Sequence, residues 1–163
     1  MPKKITEADV IKAQERWAAA IIDIGDVYTK CGNVVECAEK HIKDLYAYGG
    51  RKEDKVLFKP TKCEKRQFRL TPEGALSYFV GNGLAPAGYS EDGGFAIAPF
   101  IDVKFMNVGI IEGERATAMG NYLFTSANGD AIKVEYTFGY RRKGNKVVID
   151  VHHSSIPFKP ETA

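Results

Sequence analysis

Two imidazoles and two hydroxyls close the run Val147-Val148-Ile149-Asp150-Val151-His152-His153-Ser154-Ser155. A neutral imidazole accepts a proton near neutral pH, and a serine hydroxyl donates and accepts at once, so such a pair suits proton transfer on a small polar substrate. The valines and isoleucine before the histidines read as a strand, whose side chains alternate between two faces. Carried through the run, alternation sets Val147, Ile149, Val151, His153 and Ser155 inward and Asp150, His152 and Ser154 outward. His153 and Ser155 are therefore the candidate pair. An inward histidine also fits a core role, satisfied by a backbone carbonyl. His152 and Asp150 share the outward face, but two ligands make a poor metal site.

Two more hydroxyls come from elsewhere. Tyr78 follows Leu76 on a short helical pattern and sits toward the edge of its apolar face, where its hydroxyl either reaches a cavity or rests in water. Thr61 follows Val56-Leu57-Phe58-Lys59-Pro60, and simple alternation groups it with Leu57 instead of Val56 and Phe58, so its inward orientation depends on an irregularity at Pro60. Nucleotide-binding, zinc-protease and serine-hydrolase motifs are missing. Glu91-Asp92-Gly93-Gly94 lacks the spaced oxygens of a calcium loop and reads as an exposed turn. Cys31, Cys37 and Cys63 form no Cys-x-x-Cys pair. A zinc site from Cys37 and His41 is conceivable, but the spacing reads more simply as small thiols and a surface imidazole.

The elements that must position these groups are readable from periodicity. Val10, Gln14, Trp17, Ile21, Ile24 and Tyr28 recur at helical spacing after Thr6 and Asp9, which are placed as a capping box. A second helix carries Val35, Ala38, Ile42 and Leu45 from Gly32-Asn33 to Gly49-Gly50. Val56-Leu57-Phe58 is a strand candidate, and Thr71-Pro72 opens a third helix that runs to about Gly81. From about Phe95 the period becomes two, with Ile97, Ile101, Val103 and Phe105 on one face. Asn128-Gly129 and Lys143-Gly144-Asn145 supply hairpin turns. Helices first and an antiparallel meander afterwards make an α+β domain over residues 1–163, with the long helix across the concave face and a pocket at the open end.

Composition narrows the partners. The 163 residues carry 23 Lys plus Arg against 21 Asp plus Glu, a net charge of +2, which lacks the basic excess of a nucleic-acid binder. No apolar run approaches the length of a membrane span, so a soluble protein is expected, with cytoplasm and plastid stroma both open.

The segments VLFKPT (56–61), FRLTPEGALSYFVG (68–81), AMGNYLFT (118–125), KVEYTFGY (133–140) and VHHSSIPF (151–158) together resemble the iota-class carbonic anhydrases of cyanobacteria and algae. The order of elements is also similar to the association domain of calcium/calmodulin-dependent protein kinase II. The resemblance implies a nuclear-transport-factor-2-like (NTF2-like) cone-shaped barrel, a homodimer, and reversible hydration of CO2 to bicarbonate with no cofactor and no metal. It also implies that Thr61, Tyr78, His153 and Ser155 surround the substrate. On chemical grounds, Tyr78, Ser155 and Thr61 are then expected to orient one water and the CO2 oxygens while neutral His153 takes the proton, directly or through Ser155. Two other readings stand beside it: a non-catalytic oligomerisation domain, and a pocket for another small ligand, since fold alone does not fix function.

Overall fold

The computed structural model describes residues 1–161. Helix α1 spans Glu7–Thr29 and opens on the expected capping box: Thr6 Oγ1 accepts from Asp9 N, and the Asp9 carboxylate accepts from Thr6 N at 3.0 Å. Its buried stripe runs through Val10, Ala13, Gln14, Trp17, Ile21 and Ile24. After a turn in which Cys31 takes a positive φ of 58°, α2 (Val34–Leu45) folds back along α1. The third helix, α3 (Pro72–Val80), has Thr71 at its N-cap, where the side chain accepts from Gly74 N, and Pro72 in its first turn.

The sheet contains β1 (Leu57–Lys59), β2 (Phe100–Ile111), β3 (Ala116–Ser126), β4 (Ala131–Lys143) and β5 (Lys146–Ser155), in the order β1-β5-β4-β3-β2. Strands β2 to β5 form the expected antiparallel meander, but β1 runs parallel to β5, so the sheet is mixed. Its two edge strands do not pair with each other, so the curved sheet stays open instead of closing into a barrel. Strands β1 and β5 are the first and last of the sheet, so no turn joins them directly and their pairing is free to be parallel. Phe95–Pro99, expected as strand, forms turns, and a register shift between Phe100 and Asp102 leaves Phe100 and Val103 buried while Ile101 faces out. The concave face holds Tyr122, Phe124, Tyr136, Phe138 and Tyr140, with Trp17 of α1 packed among their rings. Among the described residues, no helix is long and apolar enough to cross a membrane.

Candidate active site

The last strand does not keep one phase. Ile149 lies opposite Tyr140, but the next paired residues are Val151 and Gly139, so Asp150 is the extra residue of a β-bulge. Gly139 makes room for it, since a Cβ there would fall 2.9 Å from the Cβ of Val151 and 3.0 Å from Oδ1 of Asp150. Asp150 is buried in a bidentate pair with Arg115. Before the bulge the inward positions are the expected ones, but after it they move by one residue. His152 and Ser154 are 2% and 1% exposed, and His153 and Ser155 lie on the outer face. The expected inward pair His153 and Ser155 is therefore replaced by its neighbours, and Ser155 Oγ donates to Glu135 on that outer face. Thr61 and Tyr78 do reach the site.

Position on β5 also sets the environment of His152. Its cross-strand neighbours are Phe58 on β1 and Phe138 on β4. The imidazole is stacked between their rings, with centroids 4.6 and 4.0 Å away. Both ring nitrogens are engaged by tyrosines: Nδ1 with Tyr46 Oη at 2.8 Å and Nε2 with Tyr122 Oη at 3.0 Å. Tyr122 Oη continues to Ser154 Oγ at 2.5 Å, and Ser154 Oγ to Thr61 Oγ1 at 2.6 Å. Beyond Thr61 stands the Tyr78 hydroxyl, which also accepts from Lys62 N at 3.3 Å.

This chain has a direction. Trp17 Nε1–H can only donate, and it donates to Tyr46 Oη at 3.0 Å. The single hydrogen of Tyr46 is then best spent on His152 Nδ1, because any other arrangement leaves a buried hydroxyl without an acceptor at about 1–3 kcal/mol. Nε2 therefore carries the ring proton and donates to Tyr122. Tyr122 donates to Ser154, Ser154 to Thr61, and the hydrogen of Thr61 is left for Tyr78 or for the space they face.

That space is a cavity of about 10 Å³ for the centre of a water-sized molecule, bounded by Thr61, Tyr78, Tyr122, His152 and Ser154 on its polar side and by Trp17, Phe58, Phe79 and Phe95 on its apolar side. It suits one water. Tyr78 and Phe95 are also walls of an outer pocket of about 270 Å³ that reaches Lys62, Glu91 and Phe100. Among the described residues, no carboxylate or thiol lines the inner cavity, and its one imidazole has both nitrogens occupied, so this donor set does not fit a metal ion.

Burial raises the hydroxyls of Tyr46, Tyr78 and Tyr122 above the usual phenol range. Burial also pushes His152 well below the ordinary imidazole value of 6.5, with neighbouring His153 adding a smaller repulsion. The polar wall is thus neutral throughout the physiological range. In the unfolded chain His152 regains its ordinary pKa, so below 6.5 the unfolded state binds one more proton. Stability should fall by about 1.4 kcal/mol per pH unit until the depressed folded value is passed. In urea melts, the stability advantage of wild type over His152→Asn should therefore shrink as pH drops from about 7 to about 5.

Tyr122 and Tyr46 were not among the candidates read from the sequence. Tyr122 had a legible signal, since Ala116, Ala118, Gly120, Tyr122 and Phe124 alternate inward on β3. Tyr46, just past the end of α2, had none.

A family model described as metal-independent carbonic anhydrase matches residues 8–156. The chain is 39% identical over 162 residues to a metal-independent carbonic anhydrase of Nostoc sp., covering 96% of this chain and 76% of the relative. Its structure is similar to that of a cyanobacterial iota-carbonic anhydrase complexed with bicarbonate, with a TM-score of 0.88 and 37% identity over 98% of this chain and 97% of the other. The fold alone is shared with a putative calcium/calmodulin-dependent protein kinase II association domain from Xanthomonas campestris, at a TM-score of 0.53 and 21% identity over 96% and 91% of the two chains. An NTF2-like putative dehydratase from Streptomyces avermitilis shares it too, at 0.56 and 14% over 93% and 96%. By the family match over most of its length and the identity to a curated member, this chain belongs to the metal-independent carbonic anhydrases.

Proposed function

We propose that this chain reversibly hydrates CO2 to bicarbonate, with the reacting water held between Thr61, Ser154 and Tyr78. The observation that carries this reading is the unbroken hydrogen-bonded chain from Trp17 to Thr61 ending at an uncharged cavity for one water. CO2 arrives from the outer pocket when Tyr78 and Phe95 part, a movement that also widens the one-water cavity so that CO2 lies against Phe79 and Phe95 beside the water.

Water attacks the carbon while one of its hydrogens must leave. Storing that proton on His152 would charge a fully buried ring with no carboxylate beside it, so the imidazole is a poor reservoir. A hydroxyl does the work without net charge. As the new C–O bond forms, the water hydrogen passes to Thr61 Oγ1, and the hydrogen that Thr61 already carries passes to a CO2 oxygen. The product leaves as carbonic acid and ionises to bicarbonate in the outer pocket. Ser154 and Tyr122 hold Thr61 in register, and His152, through its Nε2–H, fixes the direction in which they donate.

Stopped-flow CO2 hydration on chelator-treated protein tests the reading. Activity should survive chelation and fall by about 10²-fold in Thr61→Val. Activity that returns only with added metal overturns the mechanism, and none under any condition favours a binding or assembly role.

The chain acts as a homodimer through the outer face of β2 and β3. Met106, Val108, Ile111 and Met119 are all exposed there, Val108 at 83%. Light scattering should give a dimer mass for the wild type and a monomer for Met119→Lys, whereas a ring-sized particle would indicate the assembly mode of an association domain.

A further inference from the structure

We infer that Asp23, Cys37 and His41 form a surface binding site for a divalent transition-metal ion, zinc by its donor chemistry, that staples α1 to α2. Cys37 and His41 are one helical turn apart on α2 and share a face, and Asp23 stands opposite on α1. Asp23 Oδ2 lies 2.6 Å from His41 Nε2 and 3.3 Å from Cys37 Sγ, and the three donor atoms are all within 4.8 Å of one another. Two hydrogens, one on sulfur and one on nitrogen, thus converge on a single carboxylate oxygen, which is where a cation would replace them. Zinc–nitrogen and zinc–oxygen bonds of about 2.0–2.1 Å and a zinc–sulfur bond of about 2.3 Å set donors roughly 3.3–3.6 Å apart at tetrahedral angles. Partly exposed side chains reach that spacing by small rotations. One thiolate, one imidazole and one carboxylate, with a fourth position open to water, is a donor set that zinc accepts and that magnesium and calcium do not favour.

The protons balance simply. The Cys37 thiol gives up one proton to solvent per ion bound, and His41 moves its ring hydrogen to Nδ1. Burial, and then the hydrogen bond to Asp23, push the free thiol up to about 11, so without metal it is protonated and unreactive, and the ion must supply the drive to ionise it. The charges nearby do not block the site: Lys30 pairs with Asp26 and Lys40 with Glu36. None of the three ligands lines the CO2 cavity. Zinc that copurifies with this protein would therefore sit away from the catalytic groups and leave the reaction unchanged.

Cobalt(II) is the direct probe, because thiolate ligation gives a near-ultraviolet charge-transfer band that carboxylate and imidazole alone do not. Titration of the chelator-treated chain should develop that band at about one ion per chain and lose it when zinc is added. Cys37→Ser should abolish the band, His41→Ala should weaken binding by at least about 10-fold, and Cys31→Ser should leave both unchanged. Circular dichroism confirms that each variant is folded. Absence of the band in wild type, or its persistence in Cys37→Ser, overturns the site, and neither result bears on CO2 hydration, which should be equal in all these proteins.

Discussion

Ser154→Ala is expected to lower the rate of CO2 hydration by about 10²- to 10³-fold, while Ser155→Ala stays within about twofold of wild type. The Ser154 hydroxyl joins Tyr122 to Thr61, at 2.5 and 2.6 Å, and its loss cuts the chain at the link nearest the cavity. Thr61 then loses the donor that orients it, and the buried Tyr122 hydroxyl loses its acceptor at a cost of about 1–3 kcal/mol. The rate must therefore be read where the variant is fully folded. Ser154→Thr restores the hydroxyl and should recover much of the rate, which a purely structural defect would not. Ser155 donates to Glu135 on the opposite face, and nothing there reaches the reacting atoms. If Ser155→Ala inactivates the protein while Ser154→Ala does not, the inward assignment of the last strand is wrong, and with it the hydroxyl relay.

That one-residue difference marks the limit of local pattern. The cap at Thr6 and Asp9, the Trp17 stripe and the Thr71-Pro72 start depend on neighbours a few residues away, so they were legible. The phase of β5 was not, because the bulge at Asp150 is caused by residues far along the chain: Arg115, which draws the carboxylate in, and Gly139, which leaves the space. Val147 and Ile149 do face inward, and from the strand alone nothing signals that the alternation resets before His152. The irregularity that brings Thr61 inward likewise resolves only in the packing of Pro60 and Thr61 against β5. Tyr122 could have been found by alternation on β3, whereas the parallel pairing of β1 and the place of Tyr46 are tertiary facts. Asp92, read as part of an exposed turn, is buried because its partner is Arg69.

Replacing Asp92 by Ala should cost about 3–5 kcal/mol, the largest single stability loss expected from a side chain near the site. Arg69 is 0% exposed, and its guanidinium donates to both Asp92 oxygens at 2.6 and 2.7 Å, to the Gly74 carbonyl at 2.8 Å and to the Arg66 carbonyl at 2.9 Å. Ser77 Oγ donates to the same carboxylate at 2.6 Å. Truncating Asp92 leaves a fully buried cation with carbonyls but no carboxylate in contact with it, in a domain whose whole stability is about 5–15 kcal/mol. Removing both charges is a different experiment. Arg69→Met with Asp92→Leu abolishes the desolvation penalty along with the attraction, and should recover most of the loss in denaturant melts. Activity should not recover with it. The pair ties the segment after Lys62 to α3 and to the 89–95 loop, and so sets Thr61 on one side of the cavity against Tyr78 and Phe95 on the other. A double variant that melts like wild type but hydrates CO2 slowly would mean that the ion pair is kept for the placement of those three side chains. If it is stable and fully active, the pair has no part in shaping the site.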